Sequence, residues 1–236
     1  MDIILIPGFW LDGSAWDDVV PSLQRAGHSV HALTLPGLES VDADRSGIHL
    51  SDHVDAVVAA IDAVPGPAKV VLVGHSAGGG LAYAASGLRP ARVARVLYVD
   101  SGPMAEGQAV NEDLPVDIVD HPLPAWDEFE DADLVGLAEE LRAQFRARAI
   151  PQPGDTVREA HHHRAEAQRG IPATVIACEF PGAMMRQLME QDHPYVAELK
   201  TLAEYEIVDL PTGHWPMFTR PEDLAEVMLA AVDRAR

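Results

Sequence analysis

The stretch Val70-Val71-Leu72-Val73-Gly74-His75-Ser76-Ala77-Gly78-Gly79-Gly80 decides the fold. Four aliphatic residues run directly into a glycine turn with a serine at its centre. An apolar run this short, bounded by glycine, reads as a strand buried on both faces. Gly74-His75-Ser76-Ala77-Gly78 then fits G-x-S-x-G between a strand and a helix. Such a turn is strained, and small flanking residues let it pass close to neighbouring elements while Ser76 Oγ points out from the carboxyl ends of the strands. The N–H of Ala77, at the helix N-terminus, faces any negative charge that forms near Ser76. Glycine-rich turns of this kind also cradle phosphates, but the glycines here fall at 74, 78, 79 and 80. That spacing breaks G-x-G-x-x-G, and no Lys-Ser/Thr follows as a phosphate loop requires.

Outward from this unit, strand-like runs occur at Ile3–Ile6, Ser29–Leu33, Val96–Val99, Thr174–Ala177 and Tyr205–Leu210. Helical spacing separates several of them. Val54, Val57, Val58 and Ile61 recur at i, i+3, i+4, i+7 after a candidate N-cap at Ser51. Leu224, Val227, Met228, Ala231 and Val232 do the same after Pro221, with Glu222 and Asp223 in the first turn where the helix dipole favours them. Ser14 to Ala26 is also helix-like, with Pro21 expected to kink it. Aliphatic strands alternating with helices predict an α/β protein, a doubly wound, mostly parallel sheet covered on both faces. The alternation lapses once, between Ser101 and Ala173. A structureless loop of that length is improbable in a compact domain, so the stretch predicts a helical insertion over one end of the sheet, with helices at Asp133–Ile150 and Asp155–Arg169. The expected organisation is one core domain from 1–102 and 171–236, interrupted by a cap at 103–170.

Composition narrows the function. The chain has 236 residues, 47% of them hydrophobic, as in ordinary globular proteins. Its formal charge is −20, from 37 acidic against 17 basic side chains, and such a surface repels a nucleic acid. Glu106 to Glu140 holds twelve carboxylates and no Lys or Arg, read as a solvated face. No apolar run approaches the ~18 residues that span a bilayer, and the opening MDIILIPGFW lacks a basic leader. The expectation is a cytoplasmic monomer or homodimer that acts on a small molecule, away from membranes. Cys178, the single cysteine, excludes an internal disulfide and reads as a buried small hydrophobe. The tract His161 to His163 looks metal-binding, but neighbours on a helix point about 100° apart and cannot easily converge on one ion. No metal and no organic cofactor is expected.

On these motifs the chain resembles the α/β-hydrolase fold superfamily, with a pattern that covers nearly all of it. In that family an N-terminal strand ends in His-Gly-X, whose X residue supplies an oxyanion donor. Here Pro7-Gly8-Phe9 stands there, with Pro7 in place of the usual His, so the resemblance implies donors at Phe9 and Ala77. The family's base lies in a Gly-His-x-Pro stretch before the last helix, which Gly213-His214-Trp215-Pro216 matches. An imidazole suits the task because its pKa near 6.5 lets it take and return a proton close to neutrality. For the acid two positions follow the order Ser, acid, His. Asp100 ends the strand Val96–Val99, and Glu179 lies in the loop after Thr174–Ala177, where Pro181 occupies the family's usual Asp position. Asp100 is preferred, because a short carboxylate at a strand's end can be held by backbone donors. Trp10, Trp215 and Met217 flank the motif loops as candidates to line an apolar pocket. The resemblance implies a serine hydrolase of esters or lactones. A hydroxynitrile-lyase-like enzyme and a non-catalytic ligand receptor stand as alternatives, since one scaffold hosts many chemistries.

Overall fold

A computed structural model describes residues 1–162 and 165–235. Its centre is a six-stranded sheet, β1 (Asp2–Ile6), β2 (Ser29–Ala32), β3 (Val70–His75), β4 (Val93–Val99), β7 (Ala173–Ala177) and β8 (Tyr205–Asp209), in the order β2-β1-β3-β4-β7-β8. Every neighbouring pair is parallel. Alternate side chains of each strand feed two separate cores, as period-two alternation requires. Ile4, Ile6, Leu72, Tyr98 and Val175 pack with α2 (Leu50–Ala63) and α3 (Ala77–Leu88) on one face. Ile3, Leu5, Val71, Val73, Leu97 and Ile176 pack with α1 (Val20–Arg25) and α9 (Pro221–Asp233) on the other. Burial on both sides explains why the inner strands β1, β3, β4 and β7 read as aliphatic runs, while the edge strands β2 and β8 are partly exposed.

Two helices differ from their sequence patterns. The run expected from Ser14 to Ala26 divides into a 3₁₀ turn at Gly13–Trp16 and α1, whose first turn contains Pro21. A proline there loses no hydrogen bond, because the first-turn N–H groups have no partner inside the helix. The cap of α2 is His49 and not Ser51. Asp52 accepts from the His49 N–H at 2.8 Å, and Glu159 accepts from the Leu50 N–H at 2.7 Å.

Between β4 and β7 the chain forms a two-residue strand pair, β5 (Asp120–His121) and β6 (Gln152–Pro153), with α4 (Glu139–Arg148), α5 (Gly154–Arg158) and α6 (Ala165–Arg169). The helix expected from Asp133 starts six residues late, because Gly136 takes φ +80°. The helix expected over Asp155–Arg169 is interrupted after α5. Glu159 turns extended there, and its carboxylate caps α2. This segment is tied to the sheet's carboxyl end through Trp10: the Ile150 N–H donates to the Trp10 carbonyl at 3.0 Å, and the Trp10 indole N–H donates to the His121 carbonyl at 3.1 Å. Arg45, buried in the loop after β2, donates to the carbonyls of Ser40, Ala43 and Pro151 and pairs with Asp120 at 3.0 Å. After β7 come α7 (Gly182–Glu190), β8, and a short α8 (Pro216–Thr219) that leads into α9.

Candidate active site

Register places the site. His75 pairs with Val99, and Val99 with Ile176, so Ser76, Asp100 and the loop at Cys178–Glu179 leave the sheet side by side. The Ser76 N–H donates to the Val99 carbonyl at 3.1 Å, and the Asp100 N–H to the Ile176 carbonyl at 2.9 Å. Ser76 sits at φ +51°, ψ −126°, a backbone strain that non-glycine residues accept only where the surroundings over-determine it. Those surroundings are visible. A Cβ at Gly74 would collide with the Gly78 carbonyl, and one at Gly78 would lie 2.6 Å from the Ile6 carbonyl oxygen. Ser101 Oγ adds a hydrogen bond to the Ser76 carbonyl at 2.6 Å.

His214 reaches this turn from the loop after β8. Its Nε2 accepts from Ser76 Oγ at 2.8 Å, and its Nδ1–H donates to Asp100 Oδ2 at 2.7 Å. The loop is held from three sides: the His214 N–H on the Asp133 carbonyl at 2.8 Å, the Gly213 N–H on the Val135 carbonyl at 2.9 Å, and the His214 carbonyl taking His75 Nε2–H at 2.7 Å. His75 is fully buried, and burial, reinforced by the neighbouring His214, pushes its pKa well below the usual imidazole value. It is a neutral anchor. Nothing in the sequence announced this role beyond its position inside the G-x-S-x-G turn.

Of the two candidate acids, Asp100 contacts the imidazole and Glu179 stands off, 3.8 Å from Nδ1. Asp100 has a side chain 5% exposed, and its Oδ1 accepts from the N–H groups of Cys178 and Glu179, both at 3.0 Å. Those donors fix the orientation of the carboxylate toward the imidazole. Glu179 is held differently. Burial, then a hydrogen bond to Asp133 and the charges of Asp133 and Asp100, raise its pKa to about 8. Cys178 is buried as expected, with its thiol pushed up by burial.

No protein group among the described residues accepts from the N–H of Phe9 or of Ala77. Both residues border a narrow, partly open pocket, together with Leu35, Leu50, Leu81 and Val110. A second, wider groove contains Ser76, Asp100, His214 and Tyr195. The aromatic residues singled out from sequence lie elsewhere. Trp215 is 2% exposed and Met217 fully buried, both inside the core on the α9 face. The Trp215 ring stands edge-on to Phe145 and Phe129 at 5.2 and 5.4 Å, so it clamps the 103–170 segment to the His214 loop. Trp10, at φ +65°, joins that segment to the Phe9 loop through its two backbone and indole hydrogen bonds. Beyond the motif residues Pro7 to Phe9 and Ala77 to Gly78, the pocket walls include His53, Gln152 and Thr156, which carry no motif, and His161 of the histidine tract.

Two clusters bring three metal-type donors together among the described residues: His49, Asp155 and Glu159, and Asp100, Glu179 and His214. Both are accounted for by mutual hydrogen bonds, His49 to Glu159 at 2.7 Å and His214 to Asp100 at 2.7 Å. Of the histidine tract, His161 is buried and His162 pairs with Glu106 at 2.9 Å, while His163 lies outside the described residues. No helix among the described residues is long and apolar enough to cross a membrane.

A parallel sheet whose central strand turns sharply at a strained serine, with a histidine in contact, defines a class of scaffold. Residues 3–227 match the family model described as the alpha/beta hydrolase family, and the chain belongs to that family. It is 28% identical over 251 residues to a pyrethroid hydrolase of Sphingobium wenxiniae, an alignment that covers 98% of this chain and 88% of that one. It is 30% identical over 112 residues to methylesterase 18 of Arabidopsis thaliana, covering 47% of this chain and 43% of that one. Among solved structures, a methylesterase from Arabidopsis superposes with a TM-score of 0.74 at 16% identity, over 99% of both chains.

Proposed function

We propose that this chain is a serine carboxylic ester hydrolase that works through an acyl-enzyme. One observation carries the reading: Ser76 Oγ, His214 and Asp100 form a continuous hydrogen-bonded chain of 2.8 and 2.7 Å. Ser76 attacks the ester carbonyl as His214 Nε2 takes its proton. Asp100 holds the tautomer in which Nε2 is free to accept, and it stabilises the imidazolium. The unpaired N–H groups of Phe9 and Ala77 bind the oxyanion, aided by the N-terminus of α3. His214 then protonates the departing alcohol, and a water activated by the same imidazole releases the acid. The full-length relative being a pyrethroid hydrolase, and the partial one a methylesterase, supports ester chemistry over other uses of the scaffold.

The two spaces divide the substrate. His214 borders the groove and not the narrower pocket, so the alcohol it must protonate leaves through the groove, and the acyl group extends from Ser76 past Ala77 into the pocket beside Phe9. The 103–170 segment acts as a cap that closes this acyl site from water. The pocket's narrow bore and aliphatic walls suit a short, largely apolar acyl group. The test is turnover of short-chain p-nitrophenyl and methyl esters. The wild type hydrolyses them, and Ser76→Ala lowers kcat at least about a thousandfold. Retained turnover in Ser76→Ala would contradict the proposal.

A further inference from the structure

The cavity beside the nucleophile has one feature that a purely apolar acyl group would leave unexplained. Gln152, on β6, lines it with a side chain 2% exposed, and its Oε1 has no hydrogen-bond partner among the described residues. The orientation of this amide follows from proton counting. Thr156 Oγ1 donates its single proton to the Pro153 carbonyl at 2.7 Å, so it can only accept from Gln152, at 2.7 Å. Its partner in the amide is therefore Nε2, and the acceptor Oε1 faces away from Thr156. Buried acceptors are satisfied in the great majority of cases, and an exception calls for a reason. A second wall residue, His53, also carries a ring acceptor. His53 Nε2–H donates to the Pro36 carbonyl at 2.8 Å, and burial lowers its pKa, which leaves Nδ1 a lone-pair acceptor in a neutral ring.

We propose that this cavity is an acyl subsite selective for a group carrying a neutral hydrogen-bond donor, a hydroxyl or an N–H, which Gln152 Oε1 accepts. The inference rests on the ester-hydrolase reading above and names the substrate class of the same site. A carboxylate is disfavoured there, since it would set acceptor against acceptor. An ammonium is disfavoured as well: the cavity's aliphatic walls, Leu35, Leu50, Leu81 and Val110, offer no counter-charge for its lost hydration. A hydroxyl satisfies Oε1 at the least desolvation cost. Gln152 thus acts as a specificity residue, held by Thr156 and by the pairing of β6 with β5.

The experiment compares methyl butanoate with its α- and β-hydroxy derivatives, and methyl hexanoate with its ω-hydroxy derivative. Wild type, Gln152→Leu and Gln152→Met are assayed. The reading is the ratio of kcat/KM for hydroxy over parent ester, divided by the same ratio in the variant, which cancels intrinsic ester reactivity. At least one hydroxy ester is favoured about tenfold in wild type, and the ratio collapses to near one in both variants. A merely structural glutamine would lower both esters together and leave the ratio unchanged. Calorimetric binding of the same esters to Ser76→Ala gives a readout that needs no turnover. No preference for any hydroxy ester, in turnover and in binding, would overturn the proposal and assign Oε1 to a fixed water. If parent esters are hydrolysed in that case, the hydrolase reading stands alone. If no ester is turned over yet the binding preference appears and depends on Gln152, the subsite stands and the hydrolase reading falls.

Discussion

Replacing Asp100 by Asn probes the site where two carboxylates compete for one role. Asp100 Oδ1 is engaged by two backbone N–H groups at 3.0 Å, from Cys178 and Glu179. An asparagine keeps those bonds only by turning its carbonyl oxygen to them, so its NH₂ must face His214 Nδ1. The imidazole then has to present a lone pair at Nδ1 and carry its proton on Nε2, against Ser76 Oγ. In that tautomer it cannot accept the serine proton. The expected loss in kcat is about 10⁴-fold, as wrong-tautomer variants of such triads show, or about 5 kcal/mol of transition-state stabilisation. Because the backbone anchors survive, the melting temperature should move by only a few degrees. The assay is steady-state hydrolysis of a p-nitrophenyl ester near neutral pH, with Glu179→Gln beside it. Glu179→Gln should fall by less than about threefold, since Glu179 stands 3.8 Å from the ring and holds its own proton at neutrality. Activity of Asp100→Asn within about tenfold of wild type, or a crippled Glu179→Gln, would refute the tautomer argument.

Three further outcomes follow from contacts around the site. His75→Leu removes the ring donor to the His214 carbonyl and leaves that oxygen short of a partner, so stability should drop by about 1–3 kcal/mol in urea melts, and kcat should fall while KM holds. Trp10→Phe deletes the indole bond to the His121 carbonyl, and hydrogen exchange at the Ile150 amide should accelerate; unchanged exchange would mean that the two segments are held together elsewhere. Glu179, raised to about 8, keeps in the native state a proton that the unfolded chain has lost above its ordinary value of 4.5. The native state therefore binds more protons between those limits, and its stability falls as pH rises from about 4.5 to 8 and levels beyond. Glu179→Gln should flatten that slope, so that the variant gains on wild type between melts at about pH 5 and about pH 9; parallel curves would contradict the shift.

The architecture was legible where physics is local. The inner strands β1, β3, β4 and β7, buried on both faces, stood out as aliphatic runs, the more exposed edge strands β2 and β8 were read from shorter apolar stretches, and a serine inside a glycine turn between strand and helix announced its own strain. The assembly of Ser76, Asp100 and His214 was legible as an order along the chain, because register in a parallel sheet converts that order into neighbourhood. What failed was non-local. The two-residue strands β5 and β6 are too short to show alternation, and their anchors, Trp10 on the His121 carbonyl and Arg45 on Asp120 and the Pro151 carbonyl, are distant in sequence. Glu159 leaves its helix to cap α2, a contact between residues 109 positions apart. Trp215 and Met217 sit beside the histidine in sequence yet face the core, since position in a loop says nothing about which way a side chain turns. Gln152 carries no motif at all, and its interest appears only when the proton of Thr156 is counted.

The central claim is that Ser76 becomes a covalent nucleophile in this arrangement. Intact-mass spectrometry after treatment with a fluorophosphonate, followed by peptide mapping, tests it most directly. The account predicts a single adduct on the peptide containing Ser76, absent in Ser76→Ala and formed far more slowly in Asp100→Asn. An adduct on another residue, or ester turnover that persists while Ser76 stays unlabelled, would contradict it.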